Sequence, residues 1–127
     1  MPERKLVFVD DETHIRSLLE QSLEVLEDDY DVELLGAADG EEGLELIRRE
    51  KPQLVLLDVM MPKMNGYEVC QTVTSEMPET KVVLLTAKGQ QADKEQGLEA
   101  GALEYLTKPF DPDEMVERAK TLLGLED

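Results

Sequence analysis

A chain of 127 residues, 41% of them hydrophobic, is sized for one compact domain, expected to run over 1–127; it is too short for a second and too apolar to be disordered. Thirteen Lys+Arg against thirty Asp+Glu leave a net charge of −17, a field that repels phosphate backbones and anionic lipid, so direct nucleic-acid and membrane partners are not expected. The apolar runs are too short to span a bilayer, the first residues lead into a strand rather than a signal peptide, and the single cysteine, Cys70, allows neither an internal disulfide nor a thiolate-rich zinc site, which together point to a cytoplasmic protein.

In chain order, an apolar strand over 5–9 leads to a helix over about 13–27. Its Ile15, Leu18, Leu19, Ser22 and Leu26 share one face at helical spacing, while Arg16, Glu20, Glu24 and Glu27 face water. An alternating strand over 31–37 precedes a helix over 41–51, and an apolar strand over 54–57 precedes a helix over 66–76, where Cys70 reads as a small buried residue. The Lys51-Pro52 and Met77-Pro78 steps end those two helices, because proline biases the residue before it away from helical geometry. After the apolar strand 81–85 comes a helix over 91–100 that is apolar only at Ala92, Leu98 and Ala100, and it is expected to pack loosely and move most easily. A half-polar strand over 104–107 leads to the last helix. There Asp111 is the cap, Pro112 takes the first helical position, Glu114 completes a capping-box-like exchange, and Met115, Ala119, Leu122 and Leu123 form the buried stripe.

Five strand-helix repeats imply a parallel sheet covered on both faces. Strands buried on two sides read as unbroken apolar runs, so Leu6-Val7-Phe8-Val9, Leu54-Val55-Leu56-Leu57 and Val82-Val83-Leu84-Leu85 are central and the second and fifth strands are edges. With right-handed crossovers, the arrangement is an α/β, flavodoxin-like (βα)5 three-layer sandwich of strand order 2-1-3-4-5. The winding reverses between strands 1 and 3, and ligands of such sheets bind beside that switch point, at the carboxyl ends of the strands.

Those ends carry Asp10-Asp11, Asp58, Thr86 and Thr107-Lys108. Two like charges about 4 Å apart repel by roughly 4 kcal/mol at an effective dielectric near 20, so three gathered carboxylates call for compensating cations. Lys108 supplies one charge, and a hard divalent ion with oxygen ligands suits the rest. Mg²⁺ bound this way commonly also takes a phosphate oxygen, and a carboxylate can itself be the nucleophile of phosphoryl transfer, forming an acyl phosphate.

These residues resemble the receiver domain of bacterial two-component response regulators over essentially the whole chain. The resemblance rests on Asp10-Asp11, the Leu57-Asp58-Val59-Met60-Met61-Pro62 segment with Asn65-Gly66 after it, Thr86-Ala87, and Tyr105 followed by Lys108-Pro109. It implies that Asp58 accepts a phosphoryl group from the phosphohistidine of a sensor histidine kinase or phosphotransfer protein. It implies Mg²⁺, or Mn²⁺, on Asp11, Asp58 and the Met60 carbonyl, with Asp10 acting partly through water, and phosphoryl oxygens on Thr86 and Lys108. Thr86 and Tyr105 would then move together and reshape the surface of helix 4, strand 5 and helix 5 for a downstream effector or output domain. The implied state is a monomer with a phosphorylation-linked homodimer through helices 4 and 5, catalysing only its own phosphorylation and dephosphorylation.

Further readings attach to neighbours of the site. Ala87 keeps the approach to Asp58 open, the Met60 side chain and Lys88 flank the entrance, and Lys108-Pro109 is a candidate cis bond that would aim the ammonium inward. His14, in the first turn of helix 1, reads as an exposed residue near the kinase-docking face rather than a relay histidine. The rival reading is an aspartyl-phosphate-type small-molecule phosphatase, but that class places its nucleophile on the first strand as Asp-x-Asp and often adds a cap domain, whereas Asp58 follows the third strand. Nucleotide-binding glycine loops are absent from the sequence.

Overall fold

The computed structural model describes residues 4–61, 64–87, 94–108 and 110–125. The expectations for Lys88, Ala92, the Lys108-Pro109 bond and the Ala87 side chain fall outside what is described. Strands and helices alternate: β1 Arg4–Val9, α1 Thr13–Tyr30, β2 Val32–Ala37, α2 Gly40–Glu50, β3 Leu54–Asp58, α3 Gly66–Glu76, β4 Lys81–Ala87, α4 Lys94–Glu99, β5 Glu104–Lys108 and α5 Pro112–Leu123. All five strands are parallel, in the order β2-β1-β3-β4-β5.

The unbroken apolar strands bury both faces, and the two-residue period divides them between two cores. Val7, Val9, Val55, Leu57, Val82 and Leu84 meet Leu44 and Ile47 of α2 and Val69, Cys70 and Val73 of α3. Leu6, Phe8, Leu54, Leu56, Val83 and Leu85 meet Leu19, Leu23 and Leu26 of α1 and Met115, Ala119 and Leu122 of α5. Cys70 is fully buried with its thiol pushed up to about 11 by that burial, so it is a packing residue rather than a reactive thiol.

Helix α1 differs from expectation in length and in face. It runs three residues beyond 27, to Tyr30, and closes on Asp31 at φ 57°. The added turn is held by Tyr30, which packs on the α1/α5 core and lies 5.2 Å from the Lys120 ammonium. The buried stripe is Leu19, Leu23 and Leu26, whereas Leu18 is exposed. Leu18 and Leu19 sit about 100° apart around the helix, so only one of the two can face the sheet.

The capping box also lies elsewhere. At α5 the Asp111 carboxylate accepts from the Asp113 N–H at 2.9 Å, not from Glu114, with Pro112 in the first turn as expected. The reciprocal box belongs to α3, where Asn65 and Glu68 exchange side-chain and backbone bonds of 3.0 and 3.2 Å. Among the described side chains of α4 and the turn after it, Gly97 and Ala100 are buried, while Leu98 is exposed. Among the described residues no helix is long and apolar enough to cross a membrane.

Candidate functional site

The strand alternation that builds the cores also sorts the side chains at the carboxyl rim. Asp10 and Asp58 continue the parity of Leu6-Phe8 and Leu54-Leu56, and Lys108 that of Leu106, toward the α1/α5 side. Thr86 continues the parity of Val82-Leu84 and shares the opposite side with Tyr105. The parallel register pairs Leu84 with Tyr105 and Thr86 with Thr107, which makes Thr86 and Tyr105 diagonal neighbours on that side.

Three of the expected residues meet directly. The Lys108 ammonium donates to Asp10 Oδ2 at 3.1 Å and to Asp58 Oδ1 at 3.2 Å. Asp10 is fully buried and Asp58 only 3% exposed, so this pairing takes place largely out of water. Asp10 Oδ1 accepts the Glu12 N–H at 2.9 Å, serving the first turn of α1 in place of a side-chain cap from Glu12. Asp11 is exposed, and one oxygen each of Asp10, Asp11 and Glu12 lie within 4.8 Å of one another. That hard-oxygen set suits Mg²⁺ or Mn²⁺, and it contains Glu12 but neither Asp58 nor the Met60 carbonyl of the expected set.

The electrostatics follow from burial. Loss of water, then the neighbouring Asp10 charge, pushes the Asp58 carboxyl up to about 7 despite the opposing pull of Lys108, and Asp11 adds to the rise. Burial likewise raises Asp10, against the Glu12 N–H and Lys108. For Lys108, burial alone would lower the ammonium, but Asp58 and Asp10 outweigh it and hold it above its ordinary value. The site is thus a fixed cation between two carboxyls that repel one another, an arrangement that a further positive charge would relieve.

Backbone packing sets where Asp58 points. The Val59 N–H donates to Leu85 O at 3.1 Å and the Gly66 N–H to Val59 O at 2.9 Å, closing the loop between β3 and α3. A Cβ on Gly66 would lie 2.4 Å from Asp58 O, so only glycine lets α3 start this close to the strand end. Thr86 is buried at the end of β4, in the strand beside Asp58, whose register partner is Leu85. Met60, expected to lend its carbonyl and cover the entrance, has its side chain 61% exposed just beyond β3. Tyr105 is half-buried against the α2/α3 core and its hydroxyl lies over Gly97 of α4. His14 is exposed, with Nε2 3.7 Å from Glu12 Oε2.

Three residues escaped sequence reasoning. Glu12 stands 3.4 Å from the Lys108 ammonium, making it the third carboxylate on that cation. Arg16, assigned to the wet face of α1, is half-buried and donates to the Asp10 carbonyl at 2.7 Å. Gly97 vacates the space that Tyr105 occupies. Glu12 directly follows the acidic pair and could have been flagged on that ground; the other two depend on approaches that only the folded chain creates.

Comparison with known proteins agrees with this fold. The model of the response regulator receiver domain matches residues 6–120. The alkaline phosphatase synthesis transcriptional regulatory protein PhoP of Bacillus subtilis is 45% identical over 120 residues, 94% of this chain and 48% of the relative. The chain thus spans about half the length of the curated relatives it matches. Among solved structures, a putative response regulator from Chloroflexus aurantiacus superposes with a TM-score of 0.83 at 36% identity, covering 95% of this chain and 98% of that one. The BeF3-activated DrrB receiver domain gives 0.82 at 34% identity, with 95% and 97% covered. With the family model covering most of the chain and the 2-1-3-4-5 sheet in place, the chain belongs to the response regulator receiver domain family, the phosphoacceptor module of two-component signalling.

Proposed function

We propose that Asp58 is the phosphoacceptor, and the observation that carries the reading is its buried carboxyl, bonded to Lys108 beside Asp10 at the sheet's switch point. A carboxylate oxygen of Asp58 attacks the phosphorus of a phosphohistidine presented by a sensor histidine kinase or phosphotransfer protein. A P–O bond forms, the P–N bond breaks, and the electron pair leaves with the imidazole. Lys108 neutralises phosphoryl oxygens as a compact point charge, and the Thr86 hydroxyl donates to another. Asp10, Asp11, Asp58 and the Met60 carbonyl would hold Mg²⁺ or Mn²⁺, and when bound the cation offsets the charge that the acidic rim and the phosphoryl group place together. Hydrolysis by water returns Asp58 to its starting form, so the chain turns over only its own phosphoryl group.

The phosphoryl group adds about −1.5 to −2 charge and three strong acceptors. Thr86 turns toward it and Tyr105 settles into the space released, which remodels α4, β5 and α5 and changes affinity for a downstream effector or output domain. Relatives of about twice this length are named as transcriptional regulators, which favours transcription as the output, while the charge of −17 argues against DNA contact by this stretch itself. We read residues 1–127 as one receiver unit, cytoplasmic, monomeric at rest and pairing through α4 and α5 when phosphorylated.

Incubation with acetyl phosphate and Mg²⁺, followed by intact mass, tests the assignment. One hydroxylamine-labile phosphoryl group is expected, absent in Asp58→Asn. Retention in that variant would move the acceptor elsewhere, and rapid turnover of assorted phosphoesters would favour a phosphatase.

A further inference from the structure

Asp10 is held at four points. Its N–H donates to Ala37 O at 3.2 Å, its Oδ1 accepts from Glu12 at 2.9 Å, its Oδ2 accepts from Lys108 at 3.1 Å, and its carbonyl accepts from Arg16 Nη1 at 2.7 Å. The neighbouring Asp11 is exposed, and among the described residues no group bonds its carboxylate. What the fold sets for Asp11 is the point and angle at which its side chain leaves the backbone, through the peptide plane that joins it to Asp10, and the carbonyl of that plane is the one Arg16 grips. The same guanidinium reaches Thr13 Oγ1 at 3.3 Å through Nη2, so its fork is anchored on α1 at one prong and on the end of β1 at the other. A charged donor makes the stronger kind of hydrogen bond, and a lysine, with one nitrogen on a flexible stem, does not reproduce the planar two-pronged fork.

We infer that Arg16 is a positioning residue for the divalent cation, fixing the Asp10-Asp11 peptide so that the Asp11 carboxylate stays beside Asp10 and Glu12. The inference rests on the metal reading above and adds a role for a residue outside the ligand set. It also opposes what charge alone predicts. A guanidinium near an acidic site repels an incoming cation, so deleting it would tighten Mg²⁺ binding if charge were its only effect. Positioning predicts the reverse sign, because groups that orient metal ligands commonly contribute about tenfold or more to affinity.

The test is calorimetric titration of Mg²⁺ into the unphosphorylated chain, for the unsubstituted protein, Arg16→Gln and Arg16→Lys, with thermal unfolding in chelator to establish that each is folded. The expected result is about tenfold weaker binding by Arg16→Gln and only partial recovery by Arg16→Lys. Affinity equal to or tighter than that of the unsubstituted chain in either folded variant overturns the inference while leaving the metal reading intact. No Mg²⁺ binding by the unsubstituted chain overturns both.

Discussion

Replacing Asp58 with asparagine should stabilise the metal-free fold at pH 8, and the gain should shrink to less than half near pH 5. In the folded chain burial and the Asp10 charge raise the Asp58 carboxyl from 3.8 to about 7. A group that holds its proton more tightly when folded contributes stability that is fully present below about pH 4 and is lost as the pH climbs through 7. Each pH unit of difference is worth about 1.4 kcal/mol, so the loss approaches about 4 kcal/mol by pH 8. Asparagine cannot ionise and escapes that loss. The pull of Lys108 on the ionised carboxyl is already contained in that raised value, and an asparagine Oδ1 can still accept from the ammonium, so the gain at pH 8 approaches the same figure of about 4 kcal/mol. Urea unfolding of both proteins in chelator at pH 5 and pH 8 reads it, and the difference between them cancels the general self-repulsion of a chain carrying −17. If Asp58→Asn is destabilised at pH 8 as much as at pH 5, Asp58 is a stabilised ion-pair partner and the reasoning fails.

Gly97→Ala should drive Tyr105 outward, since the new Cβ would lie 1.7 Å from the phenolic oxygen. Because alanine favours the helix by about 0.5–1 kcal/mol, stability should change little while tyrosine quenching by acrylamide rises; unchanged quenching would contradict the packing. Leu57→Ala, in a fully buried central strand, should cost about 2–5 kcal/mol in urea unfolding, and a loss below 1 kcal/mol would show a site free to collapse. Asp39 caps α2 by accepting the Glu42 N–H at 2.8 Å, and Asp39→Ala should cost about 1 kcal/mol by the same assay. Mg²⁺ should recover stability for the unsubstituted chain at pH 8 but less for Asp58→Asn, measured as a shift in unfolding midpoint.

The sheet order was legible because burial on two faces leaves an unbroken apolar signature, which β1, β3 and β4 carry and β2 and β5 do not. The meeting of Asp10, Asp58 and Lys108 followed from that order, since all three close their strands at one rim. The face of α1 was harder to place, as Leu18, Leu19, Leu23, Val25 and Leu26 offer more apolar positions than the sheet can cover and packing against α5 chooses among them. Arg16 and Gly97 were not legible at all. One acts through the backbone of a residue six positions earlier and the other through an empty volume, and neither leaves a periodic trace.

Titration with fluoroberyllate, which mimics an acyl phosphate, followed by fluorine NMR asks whether the carboxylate, the metal and the anionic group share one place. Bound resonances should form with the unsubstituted chain and Mg²⁺ and vanish both in chelator and in Asp58→Asn. Bound signal in Asp58→Asn, or none in the unsubstituted chain with Mg²⁺, would contradict the assignment of Asp58 as the acceptor.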